Sequence, residues 1–133
     1  MIEPAWVALE AVLLLHEESI AEHGGLAGVR DLGLLESALA RPQNLFAYEG
    51  VSDIARLAAA YAAGIARNHP FADGNKRAAF LALGLFVAIN GWRLVADKAE
   101  ATIVMLDLAA GELEEEALAE WIRARLARRS PQP

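Results

Sequence analysis

Arg67-Asn68-His69-Pro70-Phe71-Ala72-Asp73-Gly74-Asn75-Lys76-Arg77 leads without a break into AAFLALGLFVAI, residues 78–89. The first stretch is mostly polar, ionisable or Gly. The second is apolar on every side, and a helix of that kind belongs in the centre of a domain. The pair therefore predicts a polar loop, Asn68 to Gly74, aimed at the N-terminus of a buried helix spanning about Asn75 to Ile89. Such a helix start is a natural anion site. Its first backbone N–H groups lack internal partners, and the helix dipole favours negative charge there. Gly74 permits the tight turn that aims these groups at a ligand. Lys76 and Arg77 add two positive charges, and Arg grips phosphate oxygens in a bidentate manner.

Asp73 lies beside this cluster. Mg²⁺ usually takes one or two carboxylates plus phosphate oxygens, so Asp73 is the expected metal ligand. His69 offers an imidazole that titrates near neutral pH and suits a general base acting on a hydroxyl. Taken singly, His69 reads as a loop or capping histidine, Asp73 as a turn residue, Asn75 as an N-cap and Lys76-Arg77 as a solvated pair. Those readings leave the convergence at one helix start unexplained. Together the residues supply a base, a metal ligand and a phosphate cradle for transfer from a nucleotide to a hydroxyl. Phe71 is expected to anchor the loop in the core, and Pro70 to stiffen the turn.

Outward from this segment the chain reads as all-α, being rich in Ala and Leu and poor in alternating β-branched runs. A first helix is expected from Pro4 to about Glu22, with Trp6, Leu9, Val12, Leu13 and Ile20 on one face and His23-Gly24-Gly25 ending it. A second is expected over Leu32 to Ala40, capped by Asp31 and stopped by Arg41-Pro42. Gln43 to Gly50 then reads as a loop with exposed Phe46 and Tyr48. Ser52-Asp53 opens a helix to about Arg67, with Leu57, Ala58, Tyr61, Ala62 and Ile65 as its stripe. After Asn90-Gly91, Trp92-Arg93-Leu94 reads as a short extended connection. Asp97 caps a helix to about Ala110, which Gly111 breaks. A solvated last helix is expected from Leu113 to Ala127, acidic at its start and basic at its end, matching the dipole.

The 133 residues allow one domain, 1–133, with a short basic flexible tail from about 128. The composition, 56% hydrophobic and 23% charged, is that of a globular chain. A net charge of −6 argues against wrapping nucleic acid. The absence of Cys excludes disulfides, thiolate nucleophiles and Cys-based zinc sites. The apolar run 78–89 is shorter than the roughly 20 residues a membrane span needs. Met1-Ile2-Glu3-Pro4 does not resemble a signal peptide. A soluble cytoplasmic protein is the expectation.

His69 to Arg77 resembles the signature loop of the Fic/Doc superfamily, in its Doc branch. The typical Fic loop has Gly at the position of Lys76 and a further Arg at the position of Phe80, and both departures match Doc. His23 to Gly28, Gly33 to Ala38, Ala47 to Glu49 and Asn90-Gly91 also fall where Doc-like chains carry similar residues. The resemblance thus covers roughly Leu14 to Trp121. It implies a small all-α bundle in which the loop leads into a buried central helix. It further implies a toxin of a type II toxin–antitoxin module that acts as a protein kinase. Such a kinase moves the γ-phosphate of ATP, with Mg²⁺, to a Thr or Ser of a translation factor, elongation factor Tu in the family.

By position, the resemblance makes His69 the general base and Asp73 the Mg²⁺ ligand. Gly74 and Asn75 shape the anion cradle, and Lys76 and Arg77 neutralise phosphate charge. Arg67 helps to hold nucleotide, and Tyr48 and Glu49 fall in a substrate-aligning flap. Lys in place of Gly disfavours the Fic pose of ATP. An AMP transferase with the same base and metal, and a catalytically silent binding module, are the competing readings. None of Ser19, Ser37, Ser52, Thr102 and Ser130 is followed four positions later by Glu, so the built-in inhibitory helix of many Fic proteins is not expected. Inhibition would come in trans from a Phd-type antitoxin whose C-terminal segment folds into a groove.

Overall fold

Ala is the smallest side chain that still favours a helix, and the stretch from Ala55 to Ala66 uses it at most positions. In the computed structural model, which describes residues 2–129, this stretch lies in helix α3 (Ile54–Asn68) and every residue but Arg56 is buried. Small side chains all round let α2 (Leu32–Glu49), α4 (Asn75–Ile89), α5 (Lys98–Ala109) and α6 (Glu115–Arg123) each pack against it. A Cβ added to Gly64 would lie 3.1 Å from that of Ala38 in α2. Helix α1 (Leu9–His23) packs on α4. Two short strands, β1 (Trp92–Leu94) and β2 (Leu126–Arg128), pair antiparallel with Arg93 opposite Ala127.

The all-α class is as expected, and the six helices enclose one core. Helix α4 starts and ends where the sequence places it. It is also central, packed between α1, α3 and α5. The most completely buried helix is nonetheless α3, since Phe80, Leu81 and Leu85 of α4 remain partly exposed and Ile89 is 42% exposed. The loop therefore joins the two inner helices of the bundle.

Four expectations about boundaries need correction. The first helix begins at Leu9, not Pro4. Residues 2–8 are non-helical, because their backbone is bonded elsewhere. Ala5 exchanges hydrogen bonds with the Asn90 side chain, and the Val7 N–H donates to the Tyr61 hydroxyl at 3.0 Å. Trp6 stacks on Phe86 and meets the edge of Phe46. Second, α2 does not stop at Pro42 but continues to Glu49. Pro42 is buried inside it, so packing outweighs the lost N–H bond. Gln43 to Glu49 is thus helix rather than loop, and Phe46 is only half exposed.

Third, the last helix is shorter than expected, and Leu126 to Ala127 belong to β2. Fourth, this helix is not a solvated one. Leu118, Ala119 and Ile122 are buried, as is Glu115, which pairs with both Arg41 of α2 and Arg56 of α3. Its basic end is occupied too. Arg123 pairs with Asp53, Arg125 with Glu100, and Arg128 lies over the Trp92 ring. The tail expected from about 128 begins with Arg128 in β2, and residues 130–133 lie outside the described residues.

Candidate active site

The loop between α3 and α4 is built around three side chains that point inward. Phe71 is buried, as expected, and its ring stacks on that of His16 with centroids 3.7 Å apart. Its backbone forms an isolated antiparallel bridge with Val29. Asn75 reaches back across the turn, accepting from the Phe71 N–H at 2.9 Å and donating to the Phe71 carbonyl at 3.0 Å. His16 Nε2 lies 2.7 Å from the Asp73 carbonyl. These contacts fold the loop tightly enough to present its polar residues outward.

His69 caps the end of α3 in the left-handed conformation, with φ 49° and ψ 55°, and is exposed. Its Nδ1 lies 3.5 Å from Asn75 Nδ2, at the outer limit for a hydrogen bond. Gly74 caps the start of α4, also left-handed at φ 75°. No side chain caps that start. The first amide to close a helical turn is that of Ala78, on the Gly74 carbonyl at 2.9 Å. The amides of Asn75, Lys76 and Arg77 precede it and have no partner within the helix.

Asp73 is exposed beside this helix start. Its Oδ2 accepts from the Leu26 N–H at 3.2 Å and its Oδ1 from the Gly74 N–H at 2.8 Å. Those two N–H donors, with Arg77 and Lys76 nearby, hold its carboxyl below the usual aspartate range. It is therefore an anion at neutral pH. Lys76 is exposed, and Arg77 donates to the Gly24 carbonyl at 3.0 Å.

The structure thus brings His69, Asp73, Gly74, Asn75, Lys76 and Arg77 together on one turn. Asn75 is the first residue of α4, where the sequence starts that helix, and its side-chain amide is engaged by the loop backbone. One placement differs from the sequence reading. Arg67 turns toward α6, donating to the Leu113 carbonyl at 3.4 Å. There it lines a surface pocket with Arg41, Arg56 and Glu114 to Glu116. Tyr48 and Glu49 are exposed at the end of α2. The segment that packs over the loop is residues 24–31.

Sequence reasoning missed what that segment and α1 contribute. Gly25, read as a helix stop within a stretch that resembles Doc-like chains, sits at φ 116°, and a Cβ there would lie 2.7 Å from Asp73 Oδ2. Arg30 donates to the carbonyls of His69 and Asn68. His16 carried a readable signal: it falls four residues after Val12 and four before Ile20, on the apolar stripe of α1.

Asp73 also decides how a divalent cation would fit. Among the described residues no three His, Asp or Glu side chains converge on one point. A single ionised carboxylate next to free helix amides suits Mg²⁺ carried in on phosphate oxygens rather than held in a protein cage. No helix among the described residues is long and apolar enough to cross a membrane.

The model of the Fic/DOC family matches residues 6–87, which takes in α1 to α3, the whole loop and α4 as far as Val87. The chain is 34% identical over 117 residues to "Protein kinase doc" of Escherichia phage P1, covering 88% of this chain and 92% of the relative. It is 45% identical over 75 residues to "Toxin Doc" of Mycolicibacterium smegmatis, covering 56% and 58% of the two chains.

Proposed function

The chain belongs to the Fic/DOC family, and from that premise we propose that it is a Doc-type toxin, a protein kinase that transfers the γ-phosphate of ATP to a Thr or Ser hydroxyl. One observation carries this reading. The α3–α4 loop gathers an exposed imidazole, an ionised carboxylate, three free helix amides and Lys76 within nine residues. The relative named a protein kinase aligns along nearly the whole chain, loop included.

In this reading the phosphates of ATP lie against the N-terminus of α4. The amides of Asn75, Lys76 and Arg77 and the two cationic side chains balance the charge that spreads over the phosphoryl oxygens during transfer. Asp73 would hold Mg²⁺, which would supply positive charge to offset that of the phosphates. His69 takes the proton of the attacking hydroxyl. The protein substrate is a translation factor, elongation factor Tu in the family that the sequence resembles, and that target places the work in the cytoplasm. A Phd-type antitoxin silences the toxin in trans.

Growth provides the test. Induced expression of the chain in a bacterial host should arrest growth, and co-expression of its antitoxin should relieve the arrest. His69→Ala should grow like the empty control at equal protein level. Arrest that persists in His69→Ala removes the general-base role.

A further inference from the structure

His69 is the sole non-Gly residue with positive φ among the described residues. The left-handed region is sparsely populated for residues with a side chain, and such residues persist only where their surroundings hold them. What holds His69 comes from a segment almost forty residues earlier. Arg30 Nε donates to the His69 carbonyl at 2.7 Å and its Nη2 to the Asn68 carbonyl at 3.0 Å. The backbone N–H groups of Arg30 and Asp31 both donate to the Pro70 carbonyl, at 2.7 and 3.0 Å. One dipeptide therefore binds three consecutive carbonyls, those of residues 68, 69 and 70. Its far side is equally fixed, because the Asp31 carboxylate caps α2 through the Leu34 N–H.

We propose that Arg30 is a positioning residue for His69, clamping the end of α3 so that the imidazole is presented in one orientation. The proposal rests on the reading of His69 as general base. The planar fork of Arg suits two adjacent carbonyls, and its charge favours the negative end of the helix dipole. Lys offers one point charge and cannot hold both carbonyls with fixed geometry. Without the fork, the carbonyls of Asn68 and His69 turn to water and the backbone of His69 is released from φ 49°. The ring then leaves the hydroxyl it serves, and a displacement of about 1 Å can cost on the order of 100-fold in rate.

Arg30 is exposed, so Arg30→Ala should fold, and Arg30→Lys provides a milder second variant. In purified protein, Arg30→Ala should lower kcat for phosphoryl transfer by roughly 10- to 100-fold, with KM for ATP and for Mg²⁺ within about twofold. Arg30→Lys should fall between. In a His69→Ala background, Arg30→Ala should cost nothing more. Equal losses in both backgrounds, or a change in KM alone, overturn the proposal. A second readout needs no activity. In ¹⁵N NMR spectra the amide and ring signals of His69 should shift and broaden in Arg30→Ala, while those of Lys98–Ala109 stay in place. Unchanged His69 signals overturn the proposal as well. Absence of phosphoryl transfer by the unaltered protein counts against the kinase reading, and the NMR comparison then decides the role of Arg30 alone.

Discussion

A side chain at Gly25 would be strained at φ 116°, and its Cβ would lie 2.7 Å from Asp73 Oδ2, so that carboxylate would have to shift. The consequence reaches the site, because Asp73 owes its low pKa first to the N–H of Leu26, the next residue in the chain. Gly25→Ala should therefore push the Asp73 carboxylate away from its donors. Strain of this kind costs about 1–3 kcal/mol, seen as a lowered Tm. It should be accompanied by weaker Mg²⁺-dependent ATP binding in calorimetric titrations. Asp73→Asn is the control, since it retains an acceptor for the Gly74 N–H. It should melt within a few degrees of the unaltered protein while losing the Mg²⁺ dependence of nucleotide binding. At this scale the loop was legible because its chemistry is contiguous: imidazole, carboxylate, Gly and cations lie within one stretch. The roles of Gly25 and Arg30 were not, since each acts across 38 residues or more of sequence on a backbone atom or an exposed carboxylate. No local pattern encodes such a partner.

Elements were read well where their ends carry a chemical signal. Asp31 and Asp97 cap α2 and α5 through the amides of Leu34 and Glu100, and Gly74 opens α4. Reading failed where packing overrides propensity. Pro42 is tolerated inside α2 because it is buried there, and Pro4 starts no helix because Asn90 and Tyr61 bind its neighbours. Glu115 is the largest such failure, an apparent surface charge that links three helices. Burial alone would raise its pKa, but the guanidinium groups of Arg41 and Arg56 outweigh that and hold it below the ordinary 4.5. A carboxyl whose pKa falls on folding stabilises the fold above its unfolded pKa, and loses that contribution as pH falls toward the folded value. Glu115→Gln should therefore lower Tm most at neutral pH, and the gap should close below about pH 4.5. Glu115→Ala at pH 7 should cost about 3 kcal/mol, the low end for a broken buried pair because Arg41 is partly exposed. Denaturant unfolding at several pH values checks both.

The whole molecule is a scaffold for one turn. Its two inner helices, α3 and α4, meet at the loop, α1 braces that loop from below through His16 and Phe71, and the segment between α1 and α2 clamps it from the other side. The all-α class was readable from composition and periodicity, whereas the β1–β2 pairing was not, because three-residue strands joined across 31 intervening residues leave no local trace. The central claim is that this turn moves a terminal phosphate. Purified protein and its His69→Ala variant should be incubated with Mg²⁺, elongation factor Tu and ATP labelled in either the α or the γ phosphate. Label on protein from γ-labelled ATP only, lost in the variant, is the expected result. Label from α-labelled ATP would contradict it, showing AMP transfer and a nucleotide pose that Lys76 does not set.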